Sequence, residues 1–337
     1  MTRSAANGLI IASVFLLVGI GVAFAFGRFP ISLPDLGRVL WARLTGVPSG
    51  LPPAVESIVF QIRGPRVLAA VLVGSALATA GAAFQGLFRN PLVSPDILGA
   101  SSGAALGAVL GIYLSFDVFG IQALAFAGGL VAVAIVYLVG SAMRGSDTIL
   151  VLVLTGIVVG SLLGAGIGLI KYVADPYNQL PAITFWLLGS LAAANATDLL
   201  PLSVPILLGI VALLILRWQM NAMSLPEEEA RTLGVATGPL RIAVITAATL
   251  VTSASVAAAG IIGWVGLVVP HLARFLVGPS FPRLLPTAAI LGGGYLLVID
   301  TLARTMAEVE IPLGILSAIV GTPFFIGLLR SAHRSWS

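Results

Sequence analysis

Leu150 to Ile170 reads LVLVLTGIVVGSLLGAGIGLI, and Leu199 to Leu216 reads LLPLSVPILLGIVALLIL. Neither run holds a charge, and each is apolar on every face. A helix rising about 1.5 Å per residue needs about 20 such residues to cross a hydrocarbon core. A transmembrane barrel would instead show alternating segments of about 10 residues. The two runs therefore specify membrane-spanning helices.

The rest of the 337-residue chain repeats this pattern: 58% of its residues are hydrophobic and 9% are charged, against about 25% charged in soluble domains. Breaks at charges, prolines and glycines divide it into about ten spans, near 8–26, 67–87, 97–115, 121–142, 148–171, 199–218, 240–259, 261–277, 286–302 and 312–330. The first contains Ala23-Phe24-Ala25, a sequence a signal peptidase could cleave, but its length and the spans that follow favour an uncleaved helix. The eighth is the least regular, with Pro270, His271 and Arg274 in its second half.

Ten of the 17 Lys and Arg residues, among them Arg3, Arg89, Arg144, Arg217 and Arg231, fall on the inner side if the N-terminus is inside, and seven, including Arg28, Arg63, Arg66 and Arg304, fall outside. The positive-inside tendency then places both termini in the cytoplasm. These cations are scattered singly and have no interleaved aromatics, so nucleic acid is not a partner. With no cysteine and only His271 and His333 as histidines, no metal site, catalytic cluster or cofactor is expected.

Three connections exceed a tight turn. Residues 27–66 form an outer segment with an amphipathic stretch from Leu33 to Leu44. Residues 172–198 carry Asp175-Pro176-Tyr177-Asn178 and then Phe185 to Leu191, too short to cross and a candidate re-entrant or interfacial helix. Residues 217–240 form the longest inner loop. In it Pro226, Glu227, Glu228 and Glu229 suit the positive end of a short helix, Ala230 and Leu233 share a face, and Gly234 is placed to end it. It is either a solvated loop helix or a plug gripped by a cytoplasmic partner.

No span carries a central Asp, Glu, Lys or His; Asp300, Lys171 and Asp198 lie near span ends. Ion-coupled carriers need such groups, so self-powered transport is disfavoured. Gly156, Gly160, Gly164 and Gly168 recur every four residues in the fifth span. They serve either packing within the bundle or contact with a second copy. The outer Arg63, Arg66 and Arg304 either snorkel to headgroups or dock an acidic partner.

Seven motifs occur in a fixed order: Arg63-Gly64-Pro65-Arg66, Gly86-Leu87-Phe88-Arg89-Asn90-Pro91-Leu92, Leu98-Gly99-Ala100-Ser101-Ser102-Gly103-Ala104, Phe185-Trp186-Leu187-Leu188-Gly189-Ser190, Glu229-Ala230-Arg231-Thr232-Leu233-Gly234, Gly266-Leu267-Val268-Val269-Pro270-His271 and Gly321-Thr322-Pro323-Phe324-Phe325. In these the chain resembles, from about residue 8 to 330, the FecCD family of permeases in type II ABC importers for iron-siderophore, haem and cobalamin. The resemblance implies an all-α integral membrane protein of about ten transmembrane helices, one permease domain over 1–337, in a bacterial cytoplasmic membrane. It implies pairing with a second copy, two cytoplasmic ABC ATPase subunits, a periplasmic substrate-binding protein and no enzymatic activity in this chain. By the same resemblance, Arg63, Arg66 and Arg304 dock the binding protein, and Leu225 to Val235, with Pro226, Glu227, Glu228, Glu229, Ala230, Arg231, Leu233 and Gly234, couples to the ATPase. Asn90 and Leu92 fall at a cytoplasmic gate. A further gate element belongs at the start of the fifth span, where Ser146 to Leu150 do not match clearly. The cargo is left open among haem, a ferric siderophore, cobalamin and an oxyanion such as molybdate.

Overall fold

A computed structural model describes residues 3–27, 29–142 and 148–334, and every regular element among them is helical. Arg28, Arg144, Ser146 and Asp147 lie outside the described residues. In chain order the helices are α1 (Arg3–Ala25), α2 (Leu33–Thr45), α3 (Pro53–Ser57), α4 (Gly64–Leu87), α5 (Ala100–Tyr113), α6 (Val118–Ala142) and α7 (Thr148–Val173). There follow α8 (Gln179–Leu188), α9 (Ala196–Met223), α10 (Glu227–Thr232), α11 (Thr237–Ala259), α12 (Val265–Val277), α13 (Phe281–Thr305) and α14 (Leu313–Arg334). A π-helical turn, Ile58–Arg63, carries α3 directly into α4, and a 3-10 turn, Pro95–Leu98, leads into α5.

Each of the ten expected spans is a helix. Seven of them are long and apolar enough to cross a membrane. The third and eighth are shorter than expected: α5 has 14 residues and α12 has 13. The tenth, α14, runs 22 residues.

The eighth span shortens for a visible reason. The chain leaves α11 at Gly260 (φ 69°), and Trp264 (φ 70°) precedes the first turn of α12. Non-helical backbone at membrane depth must find its hydrogen bonds inside the protein. Here Ser190 N donates to Ala259 O (2.8 Å) and Leu313 N to Gly189 O (3.0 Å), so the end of α8, the α11–α12 break and the start of α14 meet. Within α12, Pro270 has no N–H to give the carbonyl of Gly266. Gln85 of α4 supplies one instead, with Nε2 3.4 Å from Gly266 O, and its Oε1 accepts from Arg274.

Apolar burial does not drive helices together in lipid, so close backbone contact between small residues must. A Cβ on Gly74 of α4 would lie 2.2 Å from the carbonyl oxygen of Gly292 of α13, and one on Gly103 of α5 would lie 2.3 Å from that of Gly128 of α6. Only glycine permits either crossing. The best-buried spans are α4, α11 and α13, whereas 17% of the α7 window is buried. The short helix expected at Phe185–Leu191 begins earlier, as α8, with Asp175 organising the turn before it: its carboxylate accepts from Tyr177 N (3.1 Å) and Asn178 Nδ2 (2.7 Å).

Candidate functional site

The start of α4 and the end of α13 lie at one end of the bundle. There Arg66 pairs with two carboxylates: its Nε is 3.0 Å from Asp300 Oδ1, its Nη2 is 2.9 Å from the same oxygen, and its Nη1 is 2.8 Å from Glu310 Oε1. Arg304, one turn after Asp300, has its Nε 3.7 Å from Asp300 Oδ2 and donates to the carbonyl of Ala23. Arg63 donates to the carbonyls of Phe24 and Phe29 and is 5% exposed.

The last carbonyls of a helix have no partner within it. Ala23 and Phe24 belong to the last turn of α1, so Arg304 and Arg63 cap that helix, and their cations suit its negative end. The network thus ties α1, α4, α13 and the segment before α14 together. A cavity of about 260 Å³ beside it is lined by Phe29, Ile58, Ile62, Arg63, Arg66 and Glu310, among others. The structure gathers the three arginines expected to act together, and it engages each of them inside the chain.

The opposite end of α4 carries the other expected residues. Asn90 Oδ1 accepts from Leu92 N (2.9 Å), making a tight exposed turn, and Leu92 is 53% exposed. Arg89, in a left-handed conformation (φ 48°), donates from Nη1 to Leu225 O (3.3 Å). That bond joins the Asn90–Leu92 turn to the loop that holds α10.

α10 is a six-residue helix, Glu227–Thr232, with Pro226 one position earlier than a first helical residue. Gly234 adopts φ 80° and ends it as expected. Glu228, Glu229 and Arg231 are exposed. Ala230 and Leu233 do not share a buried face: Ala230 is 1% exposed and Leu233 65%. Leu233 is the residue that caps the helix, at φ −79° and ψ 6°.

The four glycines of α7 also separate. A Cβ on Gly156 would lie 2.1 Å from Ile97 O, so Gly156 packs inside this chain, whereas Gly164 and Gly168 have nothing within 4 Å. Leu154, Ile157, Val158 and Leu162 of the same helix are exposed. Sequence reasoning missed Glu310 and Asp300 as the partners of Arg66. Asp300 and Arg304 at four-residue spacing carried a signal of a helix-face pair; Glu310 carried none.

Residues 14–331 match the FecCD transport family. The chain is 40% identical over 322 residues to the molybdate import system permease protein MolB of Haemophilus influenzae, covering 96% of this chain and 95% of that one. It is 40% identical to the hemin transport system permease protein HmuU of Yersinia pestis, covering 87% of each. A solved structure described as an inward-facing conformation of a metal-chelate type ABC transporter superposes with a TM-score of 0.86 at 37% identity, covering 96% of this chain and 98% of that one.

Proposed function

The chain belongs to the FecCD transport family and is a multi-pass permease subunit of an ATP-binding cassette importer, and on that premise we propose that two copies of it carry a metal chelate across the cytoplasmic membrane by alternating access. Two ATPase subunits power the pair, and a periplasmic binding protein delivers the cargo. The observation that carries this reading is the pairing of α10 with the Asn90–Leu92 turn. The exposed acids of α10 stand ready for a partner, and the Arg89–Leu225 hydrogen bond gives motion of that helix a route to the turn. Pro226, Glu227, Glu228, Glu229, Ala230, Arg231, Leu233 and Gly234 form the coupling element, and Asn90 and Leu92 the gate. The second copy covers the open Gly164–Gly168 face of α7.

At the other end, binding-protein carboxylates approach Arg66 and Arg304 in competition with Glu310, while Arg63 holds the end of α1 in place. A chelate such as haem, a ferric siderophore or cobalamin is the proposed cargo. The molybdate relative, similar over nearly its whole length, favours an oxyanion as the second reading.

The test is reconstitution of the chain with its ATPase and binding protein in proteoliposomes, scoring ATP-dependent uptake of haemin, a ferric siderophore, cobalamin and molybdate. Uptake by the chain alone, with no dependence on ATP, overturns the importer reading. Uptake of molybdate alone overturns the chelate.

A further inference from the structure

We propose that α2 is an interfacial anchor, lying along the outer membrane surface with one face of the helix in the lipid. This rests on the chain spanning the membrane and is independent of what the chain transports.

α2 is firmly built. Ser32 Oγ accepts from Asp35 N (3.2 Å), Pro34 sits in the first turn, and Gly46 closes the helix at φ 73°. One face, Leu36 and Val39, is buried with Ile31, Val55 and Val59. A second apolar stripe remains uncovered: Leu33, Leu40, Trp41 and Leu44 are 62%, 44%, 65% and 83% exposed. At 3.6 residues per turn these four fall within a sector of about 100°, beside a polar face of Asp35, Arg38 and Thr45.

The height of α2 follows from the chain before it. α1 has 23 residues, about 35 Å at about 1.5 Å each, enough to cross the hydrocarbon core. Ile31 N then donates to Ala25 O (3.3 Å), so the chain doubles back at the end of α1 and starts α2 at the level of the membrane surface. Val14, Leu17, Val18, Val22 and Phe26, on α1 and at its end, are exposed, and so is Phe29 in the connection to α2. The uncovered stripe of α2 thus belongs to a helix that packs against α1, itself apolar and exposed over much of its length. A tryptophan in such a stripe sits well at headgroup level. Arg38 and Arg43, the second stacked 5.6 Å over Phe60, supply cations for anionic headgroups.

The chain has no cysteine, so single cysteines can be labelled without background. Full-length Leu40→Cys, Leu44→Cys, Arg38→Cys and Thr45→Cys proteins, each carrying an environment-sensitive fluorophore, are reconstituted in phosphatidylethanolamine and phosphatidylglycerol vesicles. Doxyl-labelled lipid should quench positions 40 and 44 several-fold more than 38 and 45, and aqueous iodide should do the reverse. Equal quenching at all four positions overturns the proposal. So does iodide access at 40 and 44 that ends only on adding the purified binding protein, which would make α2 a protein-docking surface. Neither result bears on ATP-driven uptake, so the permease reading stands or falls separately.

Discussion

Arg66 and Asp300, 234 residues apart, meet as a two-point ion pair at 2.9 to 3.1 Å, with Asp300 only 1% exposed. Removing one member of a buried pair leaves the other charge uncompensated, at about 3–5 kcal/mol. Asp300→Ala leaves Arg66 with Glu310 but removes its buried carboxylate, so it should cost about 3 kcal/mol, the lower end of that range, seen as a large fall in thermal unfolding temperature in detergent. Glu310, 34% exposed, is screened by solvent, and Glu310→Gln should cost about 1 kcal/mol or less. Equal losses in the two variants would refute the ranking. If Glu310 competes with an incoming carboxylate, the same Glu310→Gln variant should bind the binding protein more tightly in a pull-down titration.

Gly292 and Gly164 make a contrasting pair. A Cβ on Gly292 meets Gly74 O at 2.4 Å and the Cβ of Ala78 at 2.5 Å, neither of which can swing aside. Gly292→Val should cost about 3 kcal/mol, the upper end of core overpacking, and lower the yield of folded protein. Gly164→Leu has open space and should not lower the unfolding temperature. It should instead weaken association of two copies, measured by cross-linking or light scattering in detergent. Unchanged association would remove α7 from the proposed subunit contact.

Coupling can be separated from folding at α10. Ala230 is buried beneath a helix whose acids face outward. Ala230→Glu should displace α10 and abolish uptake while the spans still insert, since they fold around other contacts. Arg89→Ala removes the hydrogen bond to Leu225 O. ATP hydrolysis should continue in that variant with uptake reduced several-fold. Normal uptake by Arg89→Ala would break the proposed link between α10 and the gate turn.

Asp175, in the segment before α8, has its carboxylate held below the usual range, first by the Tyr177 N–H and then by the Asn178 side chain. A depressed carboxylate contributes stability that is present above its unfolded pKa, about 3.9, and is lost as pH falls through the lower folded value. Hydrogen exchange at Tyr177 and Asn178, corrected for intrinsic rate, should therefore stay slow at mildly acidic pH and accelerate only below the ordinary carboxylate range. Asp175→Ala should exchange fast at neutral pH. Loss of protection near pH 6 in the unaltered protein would contradict this assignment.

The sequence by itself determined the helical membrane class, the ten helices and the place of α10, because each is a local matter. A run of apolar residues as long as the bilayer is thick must be a helix wherever it packs, and Pro226 and Gly234 punctuate a short helix through their own backbone preferences. The family motifs are local strings as well. Only the tertiary structure decided what those residues touch. It shortened the eighth span, since the non-helical break at Gly260–Trp264 lies where Ser190 N reaches the Ala259 carbonyl at the end of α11 and Gln85 covers the carbonyl Pro270 leaves free. It divided the glycines of α7 into an inward Gly156 and an outward Gly164, which identical spacing could not do. It also joined Arg66 to Asp300 and Glu310 and turned Arg63 and Arg304 onto the carbonyls of α1. Lone arginines in a sequence look available to any acid, and whether they are depends on long-range packing that brings carboxylates and helix ends to them first.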